Sequence, residues 1–462
     1  MQKENKKYEI DMCSGSVFKK MLIFAVPLMF SSILQLLFNA ADIVVVGRFA
    51  GDNALAAVGS NGSLINLITN LFIGLSIGSN VLTAQYYGAK RDDDLKETVH
   101  TSMLLSIYSG IILTIVGIAS ARVLLELMQA PEEVLNLAVL YLRIYFLGMT
   151  STMVYNFGSA ILRAVGDTKR PLYFLLSAGI INVILNLFFV IVCHWGVAGV
   201  AVATAVSQTV SALLVVRCLM KEQGGIHLDL KQLAISREKF MKIVQIGLPA
   251  GFQGVVFSLS NVVIQSAVNS FGAISVAGNS AAVNIEGFVY MGMNAFYQAA
   301  ISFTSQNYGA HEYKRVYKIL IAGEIYAMAV GLLLGNLAVH FGNSLLGIYS
   351  QSPDVIAAGL RRMRIICTTY ALCGMMDVFV GVMRGLGYSV VPMVVSLIGA
   401  CGLRLLWIAT IFNIPQYHSL TTVYVSYPIT WAITMLIHAL TFAFVAHKTL
   451  TGKVDRTVNE PV

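Results

Sequence analysis

Charged side chains are scarce in this sequence. Only 12% of its 462 residues are Asp, Glu, Lys or Arg, whereas 57% are hydrophobic. A soluble protein of this length typically has about twice that share of charge. Stretches of about 20 apolar residues recur along the chain between short polar segments, as in helices that cross a bilayer. The composition therefore excludes an ordinary soluble domain and predicts an all-α integral membrane protein.

The sequence also lacks the motifs of several membrane-bound activities. Its six cysteines show no CxxC spacing and mostly lie inside apolar stretches, which favours core packing over disulfides or metal ligation. There is no GxxxxGK[ST] loop for ATP, no HExxH pattern and no nucleophile–base pair. The sparse polar residues do not form the rings that line a channel. We therefore expect neither an enzyme nor a channel, and no cofactor.

The apolar stretches predict twelve transmembrane helices. They lie near residues 18–46, 53–82, 95–119, 134–158, 165–191, 195–218, 240–266, 274–303, 315–340, 355–381, 389–412 and 422–446. Most of the 31 Lys and Arg residues lie in the two termini and in the loops on the same side as the termini. This bias predicts that both termini are cytoplasmic and explains the net charge of +8 without nucleic acid. The N-terminus has no signal-peptide pattern.

The chain divides into two halves that resemble each other. Thr83-Ala-Gln-Tyr-Tyr-Gly-Ala-Lys corresponds to Thr304-Ser-Gln-Asn-Tyr-Gly-Ala-His, and Pro27 corresponds to Pro249. Because each half has an even number of spans, the halves form a parallel repeat about an axis along the membrane normal. Such a repeat favours alternating access around a central site.

The repeat divides the chain into five expected segments. They are a cytoplasmic N-terminal segment (1–17), two six-helix lobes (18–220 and 240–447), a cytoplasmic linker between them (221–239) and a cytoplasmic tail (448–462). We expect the two lobes to lie in the lipid bilayer. The linker mixes apolar and basic residues, so it fits either a short helix on the membrane surface or a solvated linker with a few apolar anchors.

The first span contains a polar stripe. Gln35, Asn39 and Asp42 are spaced so that they share one face of a helix. A carboxylate at membrane depth is costly and normally faces a cavity or a partner. Pro27, upstream in the same span, removes a backbone donor and predicts a bend. A bendable helix with one acid among amides indicates a cation sensor in a secondary transporter.

Several short motifs, in order along residues 18–450, resemble the multidrug and toxic compound extrusion (MATE) family. They are Asn39-Ala-Ala-Asp42, Leu55-Ala-Ala-Val-Gly, Gln85-Tyr-Tyr-Gly-Ala and Ile161-Leu-Arg-Ala-Val-Gly-Asp167. The resemblance implies a bacterial inner-membrane transporter with two six-helix lobes. It also implies export of organic cations or drugs in exchange for inward Na⁺ or H⁺.

The resemblance further implies a cation site in the N-terminal lobe. Its residues would be Asp42, Gln35, Asn156, Asn182 and Asn186. Asn186 departs from the family, which usually has an aspartate there, so the coupling ion stays open. Na⁺ would bind Asp42, Asn182 and Asn186, and a proton would compete for the same carboxylate. Hydrogen bonding between helices is the structural alternative for the asparagines.

The predicted C-terminal lobe has three intramembrane acids, Glu286, Glu324 and Asp377. Glu286 is followed one turn later by Tyr290 and lies near methionines, a combination that suits an organic cation. The alternative for Glu286 is an ion pair with an arginine such as Arg404. Asp377 is expected to form a gate or an ion pair within the lobe.

Three other classes of membrane protein would require sequence features that differ from those of this chain. A lipid or oligosaccharide flippase would need several cationic residues facing its cavity, and the candidates are Arg143, Arg361, Arg362, Arg364 and Arg404. A major-facilitator transporter would carry a different motif between its second and third spans. An intramembrane enzyme lacks any catalytic pattern here. We expect a monomeric antiporter for small organic cations.

Overall fold

The computed structural model describes residues 8–128 and 131–451, and helices account for nearly all of this part of the chain. The N-terminal half contains α1 (Val17–Phe49), α2 (Asp52–Gly88), α3 (Asp92–Leu127), α4 (Glu132–Leu147), α5 (Met149–Ala164), α6 (Lys169–Leu187) and α7 (Gly196–Lys221). The C-terminal half contains α8 (Arg237–Asn269), α9 (Ala273–Gly309), α10 (Tyr313–His340), α11 (Gly342–Gly347), α12 (Pro353–Thr369), α13 (Ala371–Gly385), α14 (Val390–Ser396), α15 (Leu403–Ala409) and α16 (Leu420–Ala446).

All of these helices except α11 lie in the twelve predicted spans, and three spans consist of two consecutive helices each. In the described part of the chain, nine segments are long and apolar enough to cross a membrane on their own. The pairs α4–α5 and α12–α13 add two more spans, bent by 46° and 44° at their junctions. α9 has 37 residues, which is long enough for a twelfth span, but it is not among the segments that are apolar enough to cross on their own, and it carries Glu286 and several amides. The prediction of an all-α membrane protein with twelve spans is confirmed.

The interruptions inside spans were not predicted from the sequence. The fourth span breaks at Gly148, where a Cβ atom would lie 3.0 Å from the Cα atom of Ala205 in α7. The fifth span ends in a π-helical turn, Phe188–Val192. The eleventh span contains a second π-helical turn, Leu397–Gly402, between α14 and α15. Apolar periodicity does not register such turns because they add a single residue to a helix that stays apolar.

The structure divides into two compact units. One contains the described residues up to Asp11 together with Phe30–Val255, and the other contains Met12–Met29 together with the chain from Val256 onward. The first part of α1 therefore belongs to the C-terminal unit, and the first part of α8 belongs to the N-terminal unit. Within the N-terminal unit, glycines bring α2 and α8 together, since a Cβ on Gly74 would lie 2.2 Å from the Gly251 nitrogen.

The linker between the halves packs against the N-terminal unit instead of forming a surface helix. It contains two 3₁₀ turns, Gly224–Ile226 and Leu230–Gln232. Leu228 is only 1% exposed. The backbone N–H of Asp229 donates to His100 Nε2 of α3 over 3.1 Å. Most of the remaining linker residues are at least partly exposed, so the structure fits the solvated linker with a few apolar anchors and not the amphipathic surface helix.

Candidate functional site

Asp42 lies in a polar cluster formed by three helices of the N-terminal unit. It is in the second half of α1 and is 7% exposed. Asn186 of α6 donates its Nδ2 hydrogen to Asp42 Oδ1, and Thr204 Oγ1 of α7 donates to Asp42 Oδ2 over 3.3 Å. A buried carboxylate needs such donors because burial removes its hydration. The carboxylate therefore receives neutral hydrogen bonds from two helices.

Asn182 connects the other members of this cluster. Its Oδ1 accepts a hydrogen bond from Asn186 Nδ2 over 3.2 Å, and its own Nδ2 donates to Thr204 Oγ1 over 3.3 Å. Asn182 and Asn186 lie one turn apart on α6, so both side chains point the same way. The predicted grouping of Asp42, Asn182 and Asn186 thus corresponds to a direct hydrogen-bonded set in the structure.

A glycine allows α1 and α6 to approach each other beside this cluster. The ring of Phe38 in α1 occupies the space over Gly179 of α6, where a Cβ would lie 1.8 Å from Phe38 Cε2. Phe38 lies one turn before Asp42, and Gly179 one turn before Asn182. The close approach of α1 and α6 therefore sets the distance between the side chains of Asp42 and Asn186.

The chemistry of the cluster suits a hard monovalent cation. Among the described residues, the buried Oδ1 of Asn186 has no hydrogen-bond partner. With Asp42, Asn182 Oδ1 and Thr204 Oγ1, it makes a set of oxygen donors with one negative charge. Oxygen ligands of this kind bind Na⁺-like cations, and a single carboxylate also accepts a proton. The donor set fits Na⁺ and equally fits H⁺.

The structure places the other two predicted ligands outside the direct hydrogen-bond network. Asn156 of α5 donates its Nδ2 hydrogen to the Thr152 carbonyl of its own helix over 2.9 Å. Gln35 is exposed on α1, two turns before Asp42. Thr204 was missed, since a single threonine in an apolar span gives no signal in the sequence alone. Only its position one helix after Asn182 and Asn186 could have suggested it.

Glu286 of α9 forms a buried ion pair in the C-terminal unit. Arg362 of α12 donates to both of its oxygens, from Nε over 2.9 Å and from Nη2 over 2.7 Å. The Nη1 group of Arg362 donates to Asn279 Oδ1 over 3.0 Å. This is the structural alternative expected for Glu286, with Arg362 as the partner in place of Arg404. The bidentate geometry compensates the charge of both residues.

Asp377 and Tyr290 lie together, as their grouping in one site requires. The Tyr290 hydroxyl of α9 donates to Asp377 Oδ2 of α13 over 3.3 Å, and Asn294 Nδ2 lies 3.5 Å from the same hydroxyl. Within residues 8–128 and 131–451, no Lys or Arg nitrogen lies within 4 Å of Asp377. Arg384 instead donates to the Tyr297 hydroxyl. The expected ion pair of Asp377 is therefore replaced by a neutral hydrogen bond.

The five arginines considered for a phosphate-binding cavity do not form one cluster. Arg143, Arg361 and Arg364 are exposed. Arg362 is neutralised by Glu286, and Arg404 is buried in α15. Of these five candidates, only Arg404 is buried without a carboxylate partner among the described residues, which is fewer cations than a diphosphate requires.

The chain matches the model of one protein family in both halves. The MatE family model aligns with residues 27–188 and again with residues 249–410. The two matched segments begin 222 residues apart and are equally long. They support the internal repeat that the short motifs predicted.

Curated relatives are multidrug resistance proteins and transporters. The probable multidrug resistance protein YoeA of Bacillus subtilis is 28% identical over 91% of this chain and 92% of its own length. The probable multidrug resistance protein NorM of Thermotoga maritima is 24% identical over 84% of each chain. The multidrug export protein MepA of Staphylococcus saprophyticus is 21% identical over 81% of this chain and 82% of its own.

Solved structures share the fold. A crystal structure of MATE in complex with MaL6 superimposes with a TM-score of 0.88 over 95% of this chain and 98% of the other, at 22% identity. A structure described as the bent conformation of MATE gives a TM-score of 0.86 at 21% identity and covers 96% of this chain and 98% of the other. A structure described as the straight conformation gives 0.87 at 22% identity and covers 95% of this chain and 98% of the other. On the family match in both halves, this chain belongs to the MatE family of multidrug efflux transporters and is a multi-pass membrane transporter, not an enzyme.

Proposed function

We propose that the protein is an antiporter that exports organic cations in exchange for inward Na⁺ or H⁺, with Asp42 as the coupling carboxylate. The observation that carries this proposal is the oxygen-rich cluster around Asp42. It contains one buried acid, two amides one turn apart on α6 and an amide oxygen without a partner among the described residues. A carboxylate is retained at such a depth when it is used.

The coupling follows from competition for one carboxylate. A proton on Asp42 would remove the charge that draws Na⁺, and Na⁺ in the cluster would exclude the proton. When a cation binds, Asn186 can turn its amide oxygen toward the ion and give up the hydrogen bond that it now donates to Asp42. This rearrangement changes the contact between α1 and α6, so occupancy can favour one conformation of the transporter over the other.

We assign substrate contact to the C-terminal unit. Asp377 makes one neutral hydrogen bond to Tyr290, so its charge is not compensated by an ion pair within the described residues. An acid beside an aromatic ring suits a flat organic cation, since the acid attracts the charge and the ring face packs against the flat cation. Glu286 is better explained as a structural partner of Arg362.

The bend at Pro27 remains part of the proposal. α1 passes through Pro27 as one continuous helix, with a proline that removes one backbone hydrogen bond. Related proteins have been solved in states described as bent and straight. A proline at this position gives the helix a low-cost site for such a change. We propose that bending at Pro27 accompanies ion exchange at Asp42.

The topology is likewise proposed. We place both termini in the cytoplasm and the transporter in a bacterial inner membrane, where a monomer with lobes at 18–220 and 240–447 suffices for alternating access. The distribution of Lys and Arg supports this orientation. The compact units of the structure divide the described chain within α1, after Met29, and within α8, after Val255.

A vesicle assay tests the proposed activity. Proteoliposomes are loaded with ethidium, and a Na⁺ gradient or a pH gradient is imposed separately. The parent protein should move dye under at least one gradient, and the gradient that works identifies the ion. Asp42→Asn, which keeps the size and removes the charge, should reduce gradient-driven movement to the level of empty vesicles.

The matched control is Asp354→Asn, the same substitution at an exposed position in the first turn of α12. It should transport at the parent rate. Parent-like transport by Asp42→Asn would show that coupling occurs elsewhere. If the parent moves no dye under either gradient, organic-cation antiport is wrong, and lipid-linked sugars become the next substrates to test.

A further inference from the structure

Arg404 is a buried cation for which the described residues provide no carboxylate partner. It lies in α15 directly after the π-helical turn Leu397–Gly402 and is 3% exposed. Its Nη2 group donates to Thr430 Oγ1 over 3.2 Å, while its buried Nε–H group has no acceptor among the described residues. No carboxylate oxygen in the described ranges lies within 4 Å of its nitrogens. A guanidinium stays charged at any physiological pH, so this charge must be balanced by other means.

Aromatic rings cover part of the guanidinium. Its central carbon lies 3.9 Å from the centroid of the Tyr427 ring and 5.9 Å from that of Trp431. The same Tyr427 ring also faces Arg362, at 5.4 Å, but Arg362 is neutralised by Glu286. The contact with the rings stabilises the cation by much less than the penalty for burying an unpaired ion. Stacking alone therefore leaves the charge undercompensated.

The internal repeat relates Arg404 to the cation cluster of the other unit. The segments that match the family model begin at residues 27 and 249, a spacing that carries Asp42 to Ile264, whereas α6 and α14 begin 221 residues apart, at Lys169 and Val390. The second spacing carries Asn182 to Leu403, the residue before Arg404, and Asn186 to Trp407. The N-terminal unit thus has an acid with amides where the C-terminal unit has a single guanidinium among apolar residues. Both regions lie beside π-helical turns, which are frequent at functional sites.

We propose that Arg404, Thr430 and the Tyr427–Trp431 ring pair form a subsite for a compact monovalent anion. The unpaired Nε–H group and one Nη group of a guanidinium can bind a carboxylate side-on, and the same edge accepts a halide ion. The low exposure of the site excludes a bulky polyanion. The ligand is therefore either chloride or the carboxylate of a substrate. The proposal does not depend on the coupling role of Asp42.

Fluorescence of Trp431 provides a direct test. The chain has three tryptophans, so Trp195→Phe with Trp407→Phe leaves Trp431 as the single reporter. This protein is placed in nanodiscs of uncharged lipid in a halide-free sulfate buffer and is titrated with bromide or, separately, with acetate. Bromide should quench Trp431 saturably, because a bound heavy halide would lie beside its ring. If bromide quenches saturably and acetate does not displace it, the ligand is a halide. If acetate displaces the bound bromide, the site binds carboxylates.

Variants separate a binding site from a structural arginine. Arg404→Met should weaken anion binding at least about tenfold, since one charge-assisted contact contributes roughly that factor. Arg404→Lys keeps the charge and should retain saturable binding if the methionine variant fails to fold. Arg361→Gln, which removes an exposed arginine of α12, should bind as the parent does.

Two results would overturn the proposal. One is quenching that stays linear in bromide up to about 0.1 M, with no effect of acetate, in the parent and in Arg404→Lys. The other is saturable binding of equal affinity in the parent and in a folded Arg404→Met. In either case Arg404 would be an internal cation stabilised by Tyr427 and Thr430 alone.

Discussion

Asn186 of α6 donates a hydrogen bond to Asp42, at a position where the family resemblance of the sequence implies an aspartate. As an amide it holds the carboxylate without adding charge. An aspartate at the same place would put two acids in contact, and two such groups share one proton because they cannot easily ionise together. The amide therefore makes the site a single-charge site.

Asn186→Asp should change the ion dependence of transport. With a second carboxylate, less Na⁺ should be needed for half-maximal dye export at pH 8, and the advantage should disappear at pH 6, where a proton occupies the pair. The measurement is the Na⁺ dependence of ethidium export at the two pH values. Asn156→Asp, on an asparagine that bonds to its own helix, is the control. An Na⁺ dependence equal to that of the parent at both pH values would count against this cluster.

Arg362 is predicted to matter for stability through Glu286. Removal of one partner from a buried pair leaves the other charge unpaired, at a cost of about 3–5 kcal/mol. Arg362→Gln should therefore lower the thermal unfolding temperature of the purified protein markedly. The double variant Arg362→Gln with Glu286→Gln should recover much of the loss. Equal destabilisation by the single and the double variant would show that the ion pair is not the source of the effect.

At the scale of single elements, the packing of α1 against α6 positions the cation cluster. A Cβ at Gly179 would overlap the Phe38 ring, so Gly179→Ala should push the helices apart and lengthen the contact between Asp42 and Asn186. We expect impaired coupled export with nearly normal expression, and partial rescue by adding Phe38→Ala, which makes room for the methyl group. Unchanged export in the single variant would mean that the helices tolerate separation without loss of the site.

Pro27 allows a separate prediction about α1. Pro27→Ala restores a backbone donor and should stiffen the helix, so the maximal rate of dye export should fall while the dye concentration for half-maximal export changes little. The C-terminal counterpart, Pro249→Ala in α8, shows whether an effect is specific to α1. Equal kinetics of the parent and Pro27→Ala would remove the bend from the mechanism.

The helices also show which features of the fold can be predicted from the sequence. Apolar stretches predicted all twelve spans, because length and composition decide which helices can cross a bilayer. The sequence did not predict the breaks at Gly148 and, between α12 and α13, at Tyr370, nor the π-helical turns inside the fifth and eleventh spans, since these features depend on how neighbouring helices pack. Spacing on one helix predicted that Asn182 and Asn186 share a face. The three-dimensional arrangement was needed to show that Thr204 donates to Asp42 and that Arg362, not Arg404, pairs with Glu286.

At the scale of the whole molecule, the orientation in the membrane follows from charge alone and can be tested directly. In a cysteine-free background, Glu312→Cys marks a loop predicted to be cytoplasmic and Asp354→Cys marks one on the opposite side. Both positions are exposed. A membrane-impermeant maleimide should label Asp354→Cys in intact cells and Glu312→Cys only after the cells are opened. The reverse pattern would invert the proposed topology.

The repeat also shows that the two halves have diverged in chemistry while they kept one fold. The N-terminal unit concentrates oxygen donors around one acid, whereas the C-terminal unit contains an ion pair, an acid bonded to a tyrosine and an unpaired arginine. Ion coupling in the first half and ligand contact in the second is the division of labour that this difference favours.

The central claim is that Asp42 binds the coupling cation, and equilibrium binding of radioactive Na⁺ to the purified protein tests it most directly. Binding is measured at pH 8 and pH 6 for the parent, Asp42→Asn and the control Asp354→Asn. If the protein is coupled to Na⁺, Na⁺ should bind saturably at pH 8 and should be displaced by a proton at pH 6. If it is coupled to H⁺, the protein should instead take up one proton when the pH falls from 8 to 6. Asp42→Asn should lose either signal and Asp354→Asn should keep it. Unchanged Na⁺ binding and proton uptake in Asp42→Asn would contradict the account.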